Sequence, residues 1–351
     1  MEILNTSEAD LAKAARALRE GKLVAIPTET VYGLGANAYD ERAVARIFEA
    51  KARPTFDPLI VHIARIEDLN EVAREVPPSA RALANALWPG PLTMILPKKP
   101  EIPDIVTAGL PTVAVRFPNH AIAQRIIALA GVPVAAPSAN PFGYISPTTA
   151  KHVIAMLGDK VDFIVDGGPC DVGVESTVID MTGTSPVILR PGGMALESIE
   201  AIIGNVSIQT QASQTQAGRS PGTTNTLDIA GAPEKRFASP GQTLSHYAPS
   251  TPLYLFNADS LPRSAHESEI PQHSVALVFD SMRAKELESY HVFEHVVALA
   301  PSGDMREAAG RLFSLLHEFD AGGYEAIFAE RVPEAGLGRA INDRLYRASK
   351  K

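Results

Sequence analysis

The stretch from Lys22 to Ile63 constrains the fold of this chain more than any other. A short apolar run, Leu23 to Ile26, ends at a proline and is followed by a polar, glycine-containing segment and a helical pattern. A second apolar run then ends on His62. The pattern predicts strand, loop, helix, loop and strand, with Gly33 and Gly35 shaping the first loop. Ligands of open α/β sheets bind where strands end, so we expect functional residues there.

Strand and helix patterns continue to alternate up to about Gly204. Ser7 and Asp40 are placed to cap two helices, and apolar residues at helical spacing indicate three more, within 79–87, 120–129 and 148–157. Short apolar runs predict the strands 92–96, 112–116, 132–136, 161–165, 176–180 and 187–190. Several of these strands are close enough in sequence to pair antiparallel, which predicts one mixed α/β domain.

The composition changes after residue 206. Residues 207–220 are rich in Gln, Ser, Thr and Ala, and the stretch up to residue 249 adds Gly, Pro and Asn. This composition predicts an extended linker. Strand and helix patterns resume beyond it, and 351 residues suit two domains. We therefore predict an N-terminal domain at 1–206, a linker at 207–249 and a smaller C-terminal α/β domain at 250–351.

Composition and charge exclude several classes of protein. The hydrophobic fraction of 45% and charged fraction of 21% are typical of a globular chain. No stretch is long and apolar enough to span a bilayer, and the N-terminus lacks the apolar core of a secretory signal, so we expect a cytoplasmic protein without a membrane partner. A single cysteine excludes an intramolecular disulfide. A net charge of −8 argues against a protein that coats nucleic acid, although a local basic cleft remains compatible with it.

Four cations stand at the ends of predicted elements, each followed within three residues by proline: Lys51, Arg53, Arg116 and Arg190. One such residue is normally only solvated, but four in the same position predict a convergent anion site. Small polar side chains near other strand ends add neutral donors and acceptors, namely Thr28, Thr30, Ser138, Asn140, Ser146, Ser176 and Thr177. No Walker-type phosphate loop and no HExxH or EF-hand motif is present, and no side chain has the surroundings of an activated nucleophile.

Two other functions are compatible with parts of this pattern. Gly33, Gly35 and Ala38 form a GxGxxA string between a strand and a helix, as in nicotinamide-dependent dehydrogenases. Six residues separate the strand from the first glycine, however, and Asp57, the acid at the right distance, lies in a loop. A non-catalytic module that binds structured RNA through the basic cleft is the second alternative, and the acidic net charge disfavours it.

Several motifs together resemble a known family. They are PTETVYGLG at 27–35, the pair Lys51 and Arg53, PLIVHIA at 58–64, AAPSAN at 135–140, ESTVID at 175–180, LRPG at 189–192 and HYAP at 246–249. The chain resembles the long, two-domain form of the YrdC-type L-threonylcarbamoyl-AMP synthases. The motifs are dense between residues 20 and 195 and return at 245–250, whereas residues 207–242 show no pattern of that family.

The resemblance implies a fold and an activity. The fold is a YrdC-like catalytic domain whose twisted mixed sheet forms a cleft, followed by a smaller, Rossmann-like α/β domain. The activity condenses L-threonine, bicarbonate and ATP into threonylcarbamoyl-AMP and pyrophosphate, as a nucleotidyltransferase. The product feeds formation of N6-threonylcarbamoyladenosine in tRNA through a separate threonylcarbamoyl transferase, so direct tRNA binding is expected to be weak or absent.

The resemblance also assigns site residues. Thr30, His62, Arg116 and Ser176 match the threonine contacts, with Arg116 opposite the carboxylate. The ATP and bicarbonate side matches Lys51, Arg53, Asp57, Thr112, Ser138, Asn140, Ser146 and Arg190, with Tyr247 reaching in from the linker, and Lys51 and Arg53 are the residues expected to be catalytic. Asp57 stands where many relatives have Asn. Mg²⁺ is expected on the ATP phosphates, without protein ligands of its own.

Overall fold

The computed structural model describes residues 1–209, 246–257 and 270–350. Within residues 1–209, eleven strands form one mixed sheet in the order β1, β8, β2, β3, β7, β4, β6, β5, β9, β10, β11. In chain order the strands are β1 (Glu2–Leu4), β2 (Val24–Ile26), β3 (Gly33–Asn37), β4 (Ile60–His62), β5 (Leu92–Pro97), β6 (Thr112–Arg116), β7 (Val134–Ala135), β8 (Phe163–Val165), β9 (Thr177–Asp180), β10 (Val187–Arg190) and β11 (Ser207–Ile208).

Helices pack on this sheet and bury its apolar side chains. They are α1 (Glu8–Arg19), α2 (Glu41–Lys51), α3 (Leu69–Val72), α4 (Pro78–Leu87), α5 (Asp104–Thr107), α6 (Ala121–Ala130), α7 (Ala150–Leu157) and α8 (Leu196–Ile203). The two predicted caps are confirmed. Ser7 Oγ accepts a hydrogen bond from the Asp10 amide, and the Asp40 carboxylate accepts from the amides of Arg42 and Ala43.

The predicted loop after β2 is confirmed at residues 27–32 but is wrong for the part that contains the glycines. Gly33 to Asn37 form strand β3, which pairs antiparallel with β2. A methyl group added at Gly35 would lie 2.9 Å from Val134 Cγ1 and 3.1 Å from the Val24 carbonyl oxygen. Gly35 is therefore required for close packing inside the sheet, and it does not shape a turn. This geometry also differs from a dinucleotide fingerprint, in which the glycines form the turn between strand and helix.

A second, parallel sheet lies within residues 253–330, in the order β12, β15, β13, β14. Its strands are β12 (Leu253–Phe256), β13 (Ser274–Val278), β14 (His295–Ala298) and β15 (Ala326–Glu330). The helices of this part are α9 (Ser281–Glu288), which the sequence analysis did not predict, α10 (Met305–Ala321) and α11 (Gly338–Ala348). The expected second α/β domain is thus confirmed.

Helix α10 of this second domain packs directly on the first. Val31, Ile145 and Val174 share one hydrophobic cluster with Leu312 and Phe313 of α10. At Gly173 the backbones approach so closely that an added methyl group would lie 2.5 Å from the Ala309 carbonyl oxygen. The two domains are therefore in tight contact at these residues.

The predicted linker is described only at its ends. Ser207 and Ile208, the first residues assigned to it, form β11 and pair parallel with β10. His246 to Pro249 are buried, and the stretch from 210 to 245 lies outside the described residues. No helix in the described part of the chain has both the length and the hydrophobicity needed to cross a membrane.

Candidate active site

The centre of the large sheet brings the predicted residues to one place. Strands β4 and β6 are parallel neighbours, and their register sets His62 beside Arg116. Beyond their ends lies a cavity of about 50 Å³. Its walls are formed by Thr28, Thr30, Val31, Gly33, Arg53, Ile60, His62, Arg116, Ala136, Pro137, Ser138, Glu175, Ser176, Arg190, His246 and Tyr247.

All four residues matched to threonine line this cavity. Arg116 Nη1 donates to Thr30 Oγ1 over 2.9 Å, and Arg116 Nη2 forms a 2.7 Å ion pair with Glu29. The Ser176 hydroxyl lies 2.8 Å from Thr93 Oγ1 on β5. Burial, together with the charge of Arg116, lowers the pKa of His62 to about 3. His62 is therefore neutral at ordinary pH, beside a buried guanidinium.

Lys51 lies beneath the cavity wall. Its ammonium group donates to the carbonyl oxygens of Ser138, at 2.6 Å, and of Asn140. Burial first, and then the charge of Arg53, lowers its pKa well below the usual value. The Asn140 amide donates to the Tyr144 carbonyl over 2.8 Å. Lys51 and Asn140 thus fix the turn that presents Ser138 to the cavity, and neither is among its lining residues.

Arg53 lines the cavity, whereas Asp57 lies behind Arg53. The guanidinium forms a 2.9 Å ion pair with the Asp57 carboxylate and donates to the Pro58 carbonyl, also over 2.9 Å. Burial raises the pKa of Asp57, and the charges of Arg53, Arg190 and Lys51 partly oppose that effect. Asp57 therefore orients Arg53 and is not one of the lining residues.

Another part of the cavity wall comes from β9, β10 and the segments that flank them. Arg190 Nη2 donates to the Ser176 carbonyl oxygen over 2.9 Å. The Ser146 hydroxyl donates to one oxygen of Glu175. Ser146 therefore acts on the cavity through Glu175, because it is not itself a lining residue.

Tyr247 and His246 close the cavity from the far end of the predicted linker. Tyr247 is buried and adopts a positive φ of 62°. The next residue, Ala248, forms an isolated β-bridge with Tyr144. Burial raises the pKa of the Tyr247 hydroxyl. Burial and the surrounding cations lower the pKa of His246 well below its usual value. Both rings are therefore neutral near pH 7.

Thr112 is a predicted site residue at the opposite end of β6 from Arg116. It begins β6, opposite Pro97 of β5, whereas Arg116 ends the same strand. Thr112 is not among the residues that line the cavity.

Besides Glu29 and Glu175, two contributors were not assigned from the sequence. His246 lines the cavity and belongs to the HYAP motif, so its position next to Tyr247 was a usable signal. Arg344 on α11 is fully buried and forms a 2.8 Å ion pair with Glu175. Its sequence context, an arginine in an amphipathic helix, gives no such signal.

Known proteins resemble the chain over its whole length. A family model described as "Telomere recombination" matches residues 16–192, and one described as "Threonylcarbamoyl-AMP synthase, C-terminal domain" matches residues 194–350. Threonylcarbamoyl-AMP synthase of Pyrococcus abyssi is 45% identical, covering 96% of this chain and 93% of the relative. The Bacillus subtilis protein of that name is 40% identical, covering 99% of this chain and 94% of the relative.

A solved structure extends the likeness to three dimensions. The crystal structure of P. abyssi Sua5 complexed with L-threonine is 42% identical, with a TM-score of 0.84. The match covers 99% of this chain and 98% of that one, so it includes both domains and their arrangement. The chain therefore belongs to the threonylcarbamoyl-AMP synthase family, in its two-domain form.

Proposed function

We propose that this protein condenses L-threonine, bicarbonate and ATP into threonylcarbamoyl-AMP and pyrophosphate. One observation supports this function most strongly. The residues matched to threonine and two of the cations line the same cavity, namely Thr30, His62, Arg116 and Ser176 with Arg53 and Arg190. That P. abyssi Sua5, a relative over both domains, is known in complex with L-threonine supports threonine as the amino acid.

The threonine side provides one guanidinium, two hydroxyls and a neutral imidazole. We assign the carboxylate to Arg116, whose planar guanidinium suits bidentate recognition of a carboxylate. Thr30, which already accepts from Arg116, and Ser176 are placed to hydrogen-bond the amino acid. A neutral His62 adds a hydrogen-bonding group without placing a second positive charge beside Arg116.

The chemistry joins two anions. The threonine amine takes up bicarbonate, or the CO₂ derived from it, to give a carbamate with loss of water. A carbamate oxygen then attacks the α-phosphorus of ATP, the P–O bond to the β-phosphate breaks, and pyrophosphate leaves. Both partners are negatively charged, so the protein must offset their repulsion and hold them in line.

We propose that Lys51 and Arg53, with Arg190 on the opposite wall, offset the repulsion between the two anions and hold them in line. Arg53 and Arg190 line the cavity, and Ser138 and Tyr247 add hydroxyl groups there. Lys51, Asp57, Asn140 and Ser146 act from behind the wall through the contacts described above. Thr112 keeps its proposed place on the nucleotide side, at the opposite end of the same strand from Arg116.

Mg²⁺ is proposed as the companion of ATP. The described residues contain no group of three or more His, Cys, Asp or Glu side chains that could hold a metal ion. The buried carboxylates around the cavity, Glu29, Asp57 and Glu175, are each paired with an arginine. This donor set fits an ion held by the triphosphate and water, which neutralises charge on the leaving pyrophosphate.

The division of the chain follows the same proposal. In this proposal residues 1–206, together with strand β11, are the catalytic domain, the chain from there to residue 249 is the linker, whose described end at 246–249 lies at the site, and 250–351 are the C-terminal domain. The burial of His246 and Tyr247 in the cavity wall supports a linker that closes the site. The product would pass to a separate threonylcarbamoyl transferase acting on tRNA, and we expect the protein to work in the cytoplasm, without tight tRNA binding of its own.

Pyrophosphate release tests the activity. Purified protein with L-threonine, bicarbonate, Mg²⁺ and ATP should release pyrophosphate well above a control without threonine, and threonylcarbamoyl-AMP should appear by mass spectrometry. Equal release with and without threonine would refute the proposal. Salt-sensitive binding of structured RNA without any release would instead favour the RNA-binding alternative.

A further inference from the structure

Arg344 belongs to the second domain but lies against the active site of the first. It is fully buried on α11, near the end of the described chain. Its Nε donates to Glu175 over 2.8 Å, and its Nη1 donates to the Pro191 carbonyl oxygen over 2.9 Å. Asp343, next to it on the same helix, accepts a further 2.7 Å bond. A long charged side chain is rarely buried so completely unless its partners require it there.

The partners of Arg344 carry the walls of the cavity. Glu175 immediately precedes Ser176, on the threonine side, and Pro191 immediately follows Arg190, on the nucleotide side. The Arg344 guanidinium also lies 5.0 Å from the centre of the Tyr247 ring. One side chain of the second domain thus contacts three separate segments of the site.

Glu175 is held from both domains. One carboxylate oxygen accepts from Ser146 in the first domain, and the other from Arg344 in the second. Burial by itself would raise the pKa of Glu175, but the charges of Arg344 and Arg190 and the bond from Ser146 lower it below the ordinary value. Lys51 and Tyr247 are the other titratable groups that interact with this carboxyl. Without Arg344 the pKa of Glu175 would rise, and the carboxyl group would be protonated more readily.

We propose that Arg344 is a positioning residue of the threonylcarbamoyl-AMP synthase site, through which the C-terminal domain fixes Glu175 and Tyr247. The inference rests on the function proposed above and adds a specific requirement to it. The second domain is part of the catalytic apparatus, because its last described helix holds the segments that carry Ser176 and Arg190. Arg344 touches no reacting atom, so its effect is exerted through these partners.

The test compares Arg344→Gln and Arg344→Lys with Arg339→Gln. Arg339 is on the same helix and forms a 2.7 Å ion pair with Glu197 of the first domain, away from the cavity lining. Arg344→Gln should raise the KM for threonine and lower kcat for pyrophosphate release, reducing kcat/KM at least tenfold. Arg344→Lys, which retains the charge beside Glu175, should recover part of the loss, and Arg339→Gln should behave as the unmodified protein.

The pH profile separates positioning from a purely structural role. In Arg344→Gln, log kcat/KM should fall on the acid side through a new ionisation, absent from the unmodified protein and absent again in the double variant Arg344→Gln with Glu175→Gln. Melting temperatures of all variants identify any loss through unfolding. If Arg344→Gln does not fold, Arg344→Lys tests the geometry alone, because lysine keeps the charge but lacks the second donor to Pro191, and its kcat/KM should still lie below that of the unmodified protein and of Arg339→Gln.

Several results would overturn the inference. The first is a folded Arg344→Gln variant whose kcat and KM are unchanged. The second is an equal loss of kcat/KM in Arg339→Gln. The third is a loss of activity in Arg344→Gln that shows no new ionisation and is not partly recovered in Arg344→Lys. If the unmodified protein releases no pyrophosphate, the proposed function fails, and calorimetry with L-threonine still tests Arg344. Equal affinity for threonine in the unmodified protein and in Arg344→Gln would then contradict the proposed role of Arg344.

Discussion

Arg116 contacts Glu29 on one side and the Thr30 hydroxyl on the other. Glu29 is itself buried, and the pair is only a few per cent exposed, so the guanidinium is oriented before any ligand arrives. A pre-oriented arginine loses little freedom when it binds a carboxylate. In the proposed site, recognition of the amino acid would therefore depend on the shape of the guanidinium as well as on its charge.

This view of Arg116 makes a direct prediction. Arg116→Lys keeps a cation opposite Glu29 but removes the planar pair of donors, so the KM for threonine should rise about tenfold, equivalent to about 1.4 kcal/mol, with a smaller change in the KM for ATP. Steady-state pyrophosphate release measures both constants. Arg125→Lys, at an exposed ion pair with Glu8, is the matched control. A threonine KM within twofold of the control would contradict the assignment.

The sequence predicts which residues belong to the site when their type and their position in a strand are enough to show it. Cations at strand ends indicated an anion site, and Arg53, Arg116 and Arg190 do line one cavity. The sequence could not show that Lys51 points into the Ser138 turn or that Asp57 lies behind Arg53, because both depend on side-chain direction at a buried loop. Arg344 was beyond reach, since its partner Glu175 is 169 residues away.

At the scale of elements, strand β3 differs most from expectation. Its glycines predict a loop, because glycine is depleted in strands and common in turns. The structure places Gly35 between β2 and β7, where a side chain would meet Val134 and the Val24 backbone. Packing between strands, which no local pattern records, overrides the local preference of glycine here.

Gly35→Ala tests this explanation. The added methyl group cannot be accommodated without moving β7 or β2, so the variant should lose about 1–3 kcal/mol of unfolding free energy. Chemical denaturation measures the loss. Gly183→Ala is the control, because a methyl group there would come no closer than 3.6 Å to a neighbouring atom outside its flanking residues. Equal stability of the two variants would show that the close approach at Gly35 is unimportant.

At the scale of the molecule, the two domains meet through backbone as well as side chains. Gly173 and Gly310 face each other, and Gly310 is part of α10. Two domains could be predicted from the change in composition after residue 206, together with the return of strand and helix patterns. Their contact could not, because its residues are ordinary apolar and glycine positions in each domain taken alone.

Gly173→Ala should therefore separate the domains. The methyl group would lie 2.5 Å from the backbone of α10, and the residue has a positive φ of 73°. Gly168→Ala provides the same kind of backbone strain, at φ 84°, with nothing within 4 Å of the added group. We expect Gly173→Ala to lower kcat/KM at least tenfold relative to Gly168→Ala and to increase the radius of gyration in solution scattering. Identical behaviour of the two variants would exclude a catalytic need for the contact.

The titrating groups in the cavity wall have a consequence for how the enzyme responds to acidity. Burial and neighbouring cations lower the pKa values of His62 and His246, burial raises that of Tyr247, and Arg344 and Arg190 outweigh burial to lower that of Glu175. None of these four therefore changes protonation near neutrality. Between about pH 6 and 8 these four groups should keep a constant charge, so any change of rate in that range should come from the threonine amine and bicarbonate or from Lys51 and Asp57, whose pKa values are shifted towards neutrality behind the wall.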